Sequence, residues 1–311
     1  MNNSPVCLDL FQRRLGWEDL NMNHTASLIK SAIAEDLSCC VDSINRAWEK
    51  DLTSNTCRFT GRGRAILRTR ENMVVCGLPL IPMIIEIAGC KDISFSAVAA
   101  DGDCLPVNSI IGALEGVSHQ ILTLERTILN FVQKLSGIAT DTKKFVDLIS
   151  PHNVGLLDTR KTTPGFRMLE KYACAKGGSF NHRIGLFDRI LIKDNHLASQ
   201  SIENSSELAL YLTRVNAENP GVLIELEIDH PEQLMPAIES GVDAVLLDNF
   251  EPDQVKQAVQ LNQNRIILEA SGRINLDNIE NYARQKPHFI STGAPVHRSK
   301  WIDIGLDWKF E

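Results

Sequence analysis

Beyond residue 150 the chain repeats one pattern: a short apolar run, a turn of polar or small residues, then a stretch long enough for a helix. The runs are Val154 to Leu157, Arg189 to Ile192, Val222 to Ile228, Ala244 to Leu247, Arg265 to Leu268 and His288 to Ile290. Strands that alternate with helices need crossover connections, and such connections make a sheet parallel. Six such units argue for a barrel, but a closed eight-stranded one needs about 250 residues. The expectation is therefore α/β, an incomplete (open) α/β barrel.

In parallel α/β sheets, ligands bind where the loops leave the carboxyl ends of the strands. Read at those ends, the six runs offer Arg160 and Lys161, Lys193 and His196, Glu227, Asp248, Ser271-Gly272, and Thr292-Gly293. The stretch Asp158 to His196 carries eight Lys and Arg against four Asp and Glu, in a chain whose formal net charge is -7. Concentrated basic charge in an acidic protein suits a strongly anionic ligand. Arg160, Lys161, Arg183 and Lys193 together could bind a diphosphate and a dicarboxylate, the guanidinium as a planar fork and the ammonium as a point charge. The bland alternative, surface ion pairs, explains single cations better than four at strand ends.

A carboxylate at the end of a buried strand is costly unless paired or metal-bound, and hard oxygens suit Mg²⁺. Glu227 and Asp248 are thus metal candidates, with an internal ion pair to Lys193 or Arg160 as the compatible alternative. Ser271-Gly272 and Thr292-Gly293-Ala294 could cradle a phosphate with backbone N–H groups. His182 and His196 lack ligand spacing to another His or Cys. His182 reads as a substrate contact and His196 as a loop anchor.

The first half mixes short strands and helices, as an α+β domain does. A helix is expected over His24 to Leu37, and strands over Ala65 to Arg70, Met73 to Cys76 and Ile93 to Ala99. Leu114, Val117, Ile121, Leu124, Ile128, Phe131 and Leu135 recur every three or four residues, which predicts one helix ending near Gly137 and a second opening at Phe145. Glu125-Arg126-Thr127 falls on its polar face, so the bland reading of Arg126 is a solvated cation. The expected domains are residues 1–129 and 130–296, with a tail of about 297–311 packing back on the first.

An acidic pI of about 5.7 and the lack of a basic stripe interleaved with aromatics argue against nucleic acid. Cys7, Cys39, Cys40, Cys57, Cys76, Cys90, Cys104 and Cys174 form no CxxC pair and read as reduced thiols of a cytoplasmic protein. The most apolar stretch, Met73 to Ile85, is broken by Gly77, Pro79 and Pro82 and falls short of the ~20 residues of a membrane span.

The runs DTRKTTPG, NHR, LIKDNH, LLDNF, LEASG and STGA resemble those of the quinolinate phosphoribosyltransferases, also called carboxylating nicotinate-nucleotide pyrophosphorylases, in order from about Asp51 to Asp307. The resemblance implies the type II phosphoribosyltransferase barrel and a definite reaction. Quinolinate and 5-phosphoribosyl 1-diphosphate would give nicotinate mononucleotide, diphosphate and CO2, with Mg²⁺. It further implies that Arg126, Arg160, Thr162, His182, Arg183 and Lys193 surround the quinolinate, with Lys161 between carboxylate and diphosphate. Glu227 and Asp248 would serve the metal-bound sugar, while Ser271, Gly272, Arg273, Thr292, Gly293 and Ala294 would hold the 5-phosphate. Lys161, Lys193, Glu227 and Asp248 would be the catalytic set, and Arg126 would reach the site of a neighbouring subunit in a homodimer or larger homo-oligomer. The chain departs from the family pattern at Ser38 to Lys50, an apparent insertion, and at Arg273, where many members have glycine. Two alternatives remain: a molybdenum-transport-associated protein of the same fold with another ligand, and a barrel aldolase forming a Schiff base at Lys193.

Overall fold

The computed structural model describes residues 8–37, 47–57, 61–200, 202 and 204–309. Most of the expected insertion, together with Cys7, Cys39 and Cys40, lies outside the described residues. The chain divides into two compact units.

One unit comprises Leu15–Lys143, Thr163–Gly178 and Arg298–Glu311. In order it contains α1 (Met22–Leu37), α2 (Leu52–Cys57), β1 (Arg62–Thr69), β2 (Met73–Val74), α3 (Leu80–Ile87), β3 (Ile93–Ala97), β4 (Cys104–Leu105) and β5 (Ile110–Val117). α4 (Ser118–Ile149) follows, and its residues up to Lys143 belong here. In α1, Thr25, Ile29 and Ile33 are buried at a spacing of four, the stripe that seats this helix against α3. An antiparallel sheet runs in the order β12-β1-β5-β3, where β12 is the C-terminal strand Ile304–Lys309 and places Trp308 opposite Ala65.

Two sequence expectations need correction here. Leu114 and Val117 belong to β5, and α4 is a single 32-residue helix that runs through Gly137. The strand enters the helix with no turn residue between Val117 and Ser118, so strand and helix share one apolar rhythm. Gly137 is not a helix end but a close approach: a Cβ there would lie 2.1 Å from the carbonyl oxygen of Lys300. The expected boundary near residue 130 falls inside this helix.

The other unit comprises Met1–Arg14, Lys144–Thr162 and Ser179–His297. Its strands are β6 (Gly155–Leu157), β7 (Ile190–Ile192), β8 (Ile224–Ile228), β9 (Ala244–Asp248), β10 (Ile267–Ser271) and β11 (Phe289–Ser291). The intervening helices are α6 (Asp194–Ser199), α7 (Ser205–Glu218), α8 (Leu234–Glu239), α9 (Pro252–Asn262) and α10 (Ile279–Ala283), with α11 (Ala294–His297) after β11; α5 (Arg167–Lys176) belongs to the first unit. Every strand pairing is parallel, in the order β6-β11-β10-β9-β8-β7. Among the described residues β6 and β7 are the sheet edges, so the barrel is open between them.

Because successive strand residues face opposite sides, the sheet sorts its residues. Leu226, Val245, Leu247, Leu268, Ala270 and Ile290 join the core shared with the helices. Leu157, Ala244, Ile267 and Phe289 point the other way and form a small inner cluster closed by Phe11. The Phe11 ring stacks on Phe289 with centroids 6.0 Å apart, and the Arg189 guanidinium carbon lies over the Phe11 ring, 4.2 Å from its centroid.

Candidate active site

Each inner-facing position two residues further along a strand leaves this apolar floor. On β9 the series Ala244, Leu246, Asp248 climbs from floor to rim, and on β10 it is Ile267, Glu269, Ser271. β8 contributes Glu225 and Glu227 in the same register. Above the floor lies a cavity of about 380 Å³ lined by Leu246, Glu227, Asp248, Glu269, Ser271 and Ser291 from the sheet. The loops after β6 and β7 add Thr159, Arg160, Lys161 and Lys193, and the segment before β7 adds His182 and Arg183.

Buried hydrogen bonds fix these loops. The Asp158 carboxylate, 4% exposed, accepts from the Asn181 amide nitrogen at 2.7 Å and from the His182 backbone N–H at 2.8 Å. That ties the Asn-His-Arg corner to the end of β6. The Lys193 backbone N–H donates to His196 Nδ1 at 2.9 Å, so His196 fastens the start of α6. The Lys193 ammonium pairs with the Glu227 carboxylate. Asp248 accepts from the Asn249 side chain at 2.7 Å.

The cavity's cations are incompletely satisfied. Arg160 Nε and Arg183 Nε are both buried and make no hydrogen bond. Burial, then the neighbouring Arg160 charge, holds the Arg183 pKa below its usual value. Two guanidinium groups that line the cavity beside Lys161 and Lys193 suit an entering carboxylate or phosphate, which would form charge-assisted bonds with them.

The phosphate-cradle candidates sit where β10 and β11 end. Ser271 lines the cavity, and the Ser291 hydroxyl donates to its oxygen at 3.0 Å. Gly272 has φ +99°, and a Cβ would come within 2.6 Å of the Asn249 backbone nitrogen, so only glycine fits. Arg273 follows, exposed, with φ +52°. The Thr292 hydroxyl donates to the Ile274 carbonyl at 2.8 Å and accepts from the Ala294 N–H at 3.2 Å, which fixes the Thr292-Gly293-Ala294 turn. Thr162 is half-buried and donates to the Arg160 carbonyl at 3.4 Å. Gly272, Arg273, Thr292, Gly293, Ala294 and Thr162 are not part of the cavity lining. Arg126 belongs to the other unit, on α4, with its side chain 63% exposed and 3.8 Å from Glu125.

Sequence reasoning passed over Glu225 and Glu269, which are fully buried. The signal was present in IELEI and ILEAS, since a charge inside an otherwise apolar strand must face a partner. His182 Nε2 lies 3.3 Å from Glu225 and 3.4 Å from Glu269, and their ligand-type atoms fall within 4.8 Å of one another. Arg189 completes the group, 3.2 Å from Glu225. Burial opposes the Glu225 charge, but Arg189 and then His182 hold its pKa down, at about 2. Burial likewise lowers the His182 pKa, while Glu269 and Glu225 raise it further, to about 9. The place of that proton is restricted by geometry: His182 Nδ1 accepts the Arg183 N–H at 2.8 Å, so only Nε2 carries hydrogen. Burial, then the Glu225 charge, raises the Glu269 pKa. With both ring nitrogens engaged inside the protein, His182 presents its ring, not a free nitrogen, to the cavity.

Comparison with known proteins fits this geometry. The quinolinate phosphoribosyl transferase C-terminal domain profile matches residues 138–307, and the N-terminal domain profile matches residues 51–136. The chain belongs to the quinolinate phosphoribosyltransferase family. A probable carboxylating nicotinate-nucleotide pyrophosphorylase of Bacillus subtilis is 42% identical over 67% of this chain and 70% of its own. A chloroplastic relative from Arabidopsis thaliana is 34% identical over 90% of this chain and 81% of its own. The solved nicotinate-nucleotide pyrophosphorylase of Francisella tularensis superposes with a TM-score of 0.85 at 36% identity, covering 93% of this chain and 98% of its own. The open barrel and separate α+β unit are thus those of a quinolinate phosphoribosyltransferase.

Proposed function

We propose that this quinolinate phosphoribosyltransferase works through the cavity above the barrel floor. The enzyme converts quinolinate and 5-phosphoribosyl 1-diphosphate to nicotinate mononucleotide, diphosphate and CO2, a step of NAD synthesis. The observation that carries the site is the convergence of four cations, Arg160, Lys161, Arg183 and Lys193, on one cavity at the carboxyl ends of the strands.

In this reading Arg160, Arg183 and Lys193 hold the quinolinate carboxylates, and Lys161 lies between carboxylate and diphosphate. Displacing diphosphate builds positive charge at the anomeric carbon, which the fixed carboxylates of Glu227 and Asp248 stabilise. Those carboxylates also have the hard oxygen chemistry that Mg²⁺ takes, and both line the cavity on neighbouring strands. Bound there with the diphosphate, Mg²⁺ would neutralise charge on the leaving group. The turns at Ser271 to Arg273 and Thr292 to Ala294 take the 5-phosphate, and Thr162 supports the quinolinate side. The positive charge of the quaternised pyridinium nitrogen stabilises the electron pair left on the adjacent ring carbon as CO2 departs, and a proton from water then bonds to that carbon.

Arg126, exposed on α4, is assigned to the site of a neighbouring copy, which makes the working form a homodimer or larger. Among the described residues no helix is long and apolar enough to cross a membrane, and Cys57, Cys76, Cys90, Cys104 and Cys174 are free thiols, in keeping with a cytoplasmic enzyme.

The test is absorbance-monitored turnover of quinolinate with 5-phosphoribosyl 1-diphosphate and Mg²⁺, with nicotinate as control. Turnover is expected with quinolinate alone and is lost on chelation. Arg160→Ala and Lys193→Ala should each lower kcat/KM at least about 10²-fold, the usual cost of removing one preorganised charge-stabilising group. Normal turnover in both variants, with unchanged circular dichroism, overturns this assignment of the site.

A further inference from the structure

Glu269 has no place in the chemistry above, yet it lines the cavity, is fully buried, and has neither carboxyl oxygen in a hydrogen bond of good geometry. It belongs to a closed circuit of contacts. His182 Nε2 faces Glu269 and Glu225, and Glu225 pairs with Arg189. The Arg189 carbonyl accepts from Arg183 Nη1 at 3.2 Å, and the Arg183 N–H returns to His182 Nδ1 at 2.8 Å. Arg183 is thus tied to this circuit at two points, its backbone N–H on the His182 ring and its Nη1 on the Arg189 carbonyl, and Glu269 bears on the circuit at His182.

The group of His182, Glu225 and Glu269 has a composition that could bind a metal, but the Arg183 N–H on Nδ1 places the imidazole hydrogen on Nε2, where a metal would need a lone pair. The geometry serves a different end. We infer that Glu269 is a positioning residue for the anion site: acting through the His182 ring, it keeps the Arg183 guanidinium aimed at a carboxylate of the pyridine substrate. This rests on the reading of Arg183 as a carboxylate ligand.

Glu269 faces the His182 Nε2 edge at 3.4 Å, and burial and the Glu225 charge raise its pKa. A glutamine side chain offers the same acceptor and a donor in the same place, whereas alanine offers neither.

The experiment measures KM for each substrate separately in Glu269→Ala and Glu269→Gln. Glu269→Ala should raise KM for quinolinate at least about tenfold while leaving KM for 5-phosphoribosyl 1-diphosphate within about twofold, the pattern of lost binding at one subsite. Glu269→Gln should recover most of that loss, to within about threefold of the parent KM. A merely structural role would move both KM values together with no rescue by glutamine, and that result overturns the inference, as does an unchanged quinolinate KM in Glu269→Ala. Should the alanine variant fail to fold, Glu269→Gln still decides: a quinolinate KM raised tenfold or more in a folded glutamine variant overturns the inference, because glutamine keeps an oxygen acceptor at that place. Arg183→Ala separates the two claims, because an unchanged quinolinate KM there overturns the reading of Arg183 itself, whatever Glu269 does.

Discussion

Arg273 occupies a backbone conformation that favours glycine. At φ +52° it follows Gly272, so two consecutive residues turn in the left-handed sense where β10 ends. A non-glycine residue there bears roughly 1–2 kcal/mol of local strain. Arg273→Gly relieves that strain but frees the unfolded chain by about 0.4–1 kcal/mol, so stability should move by no more than about 1 kcal/mol in chemical denaturation. If the guanidinium contributes to phosphate binding, KM for 5-phosphoribosyl 1-diphosphate rises severalfold in the same variant while KM for quinolinate holds. At this scale the cations were legible because they cluster in sequence. Glu225 and Glu269 were passed over, because each sits within a mostly apolar strand and what gives it meaning is a histidine on another segment. Glu225 and Glu227 share strand parity, so one buried acid implied the inward direction of both.

Strands and helices differ in how openly they declared themselves. The six barrel strands are short and mostly apolar, and each of the six expected runs overlaps one of them. α4 misled because β5 runs into it without a break and because glycine usually marks a helix end. Gly137 sits mid-helix since the Lys300–Trp301 backbone passes too close for a side chain. Replacing glycine by alanine inside a helix normally gains about 1 kcal/mol. Gly137→Ala should instead lose about 1–3 kcal/mol, the range for overpacking, because its Cβ would meet a backbone oxygen that has little freedom to move. A urea midpoint that rises in this variant would contradict the contact.

For the whole molecule, sequence rhythm gave the fold class but not the membership of the units. Local patterns did not reveal that the segment up to Arg14 joins the barrel unit, or that 163–178 joins the other, because those assignments depend on pairing between distant segments. Strand β12 is defined by its partner β1, more than two hundred residues earlier, and neither strand's composition names the other.

The same non-locality gives Phe11 an importance its position hides. It is the cork in the narrow end of the barrel: its ring closes the apolar floor on which the acid layer of Glu225 and Glu269 rests. Phe11→Ala should cost about 3–5 kcal/mol, as loss of a buried aromatic does, and a measured loss under about 1 kcal/mol would show that the floor does without it. Water admitted from below would hydrate the buried carboxyls and weaken their hold on His182 with every rim residue still in place. Phe11 is therefore a control on catalysis from the far side of the barrel, where a substitution would act as surely as one at the mouth.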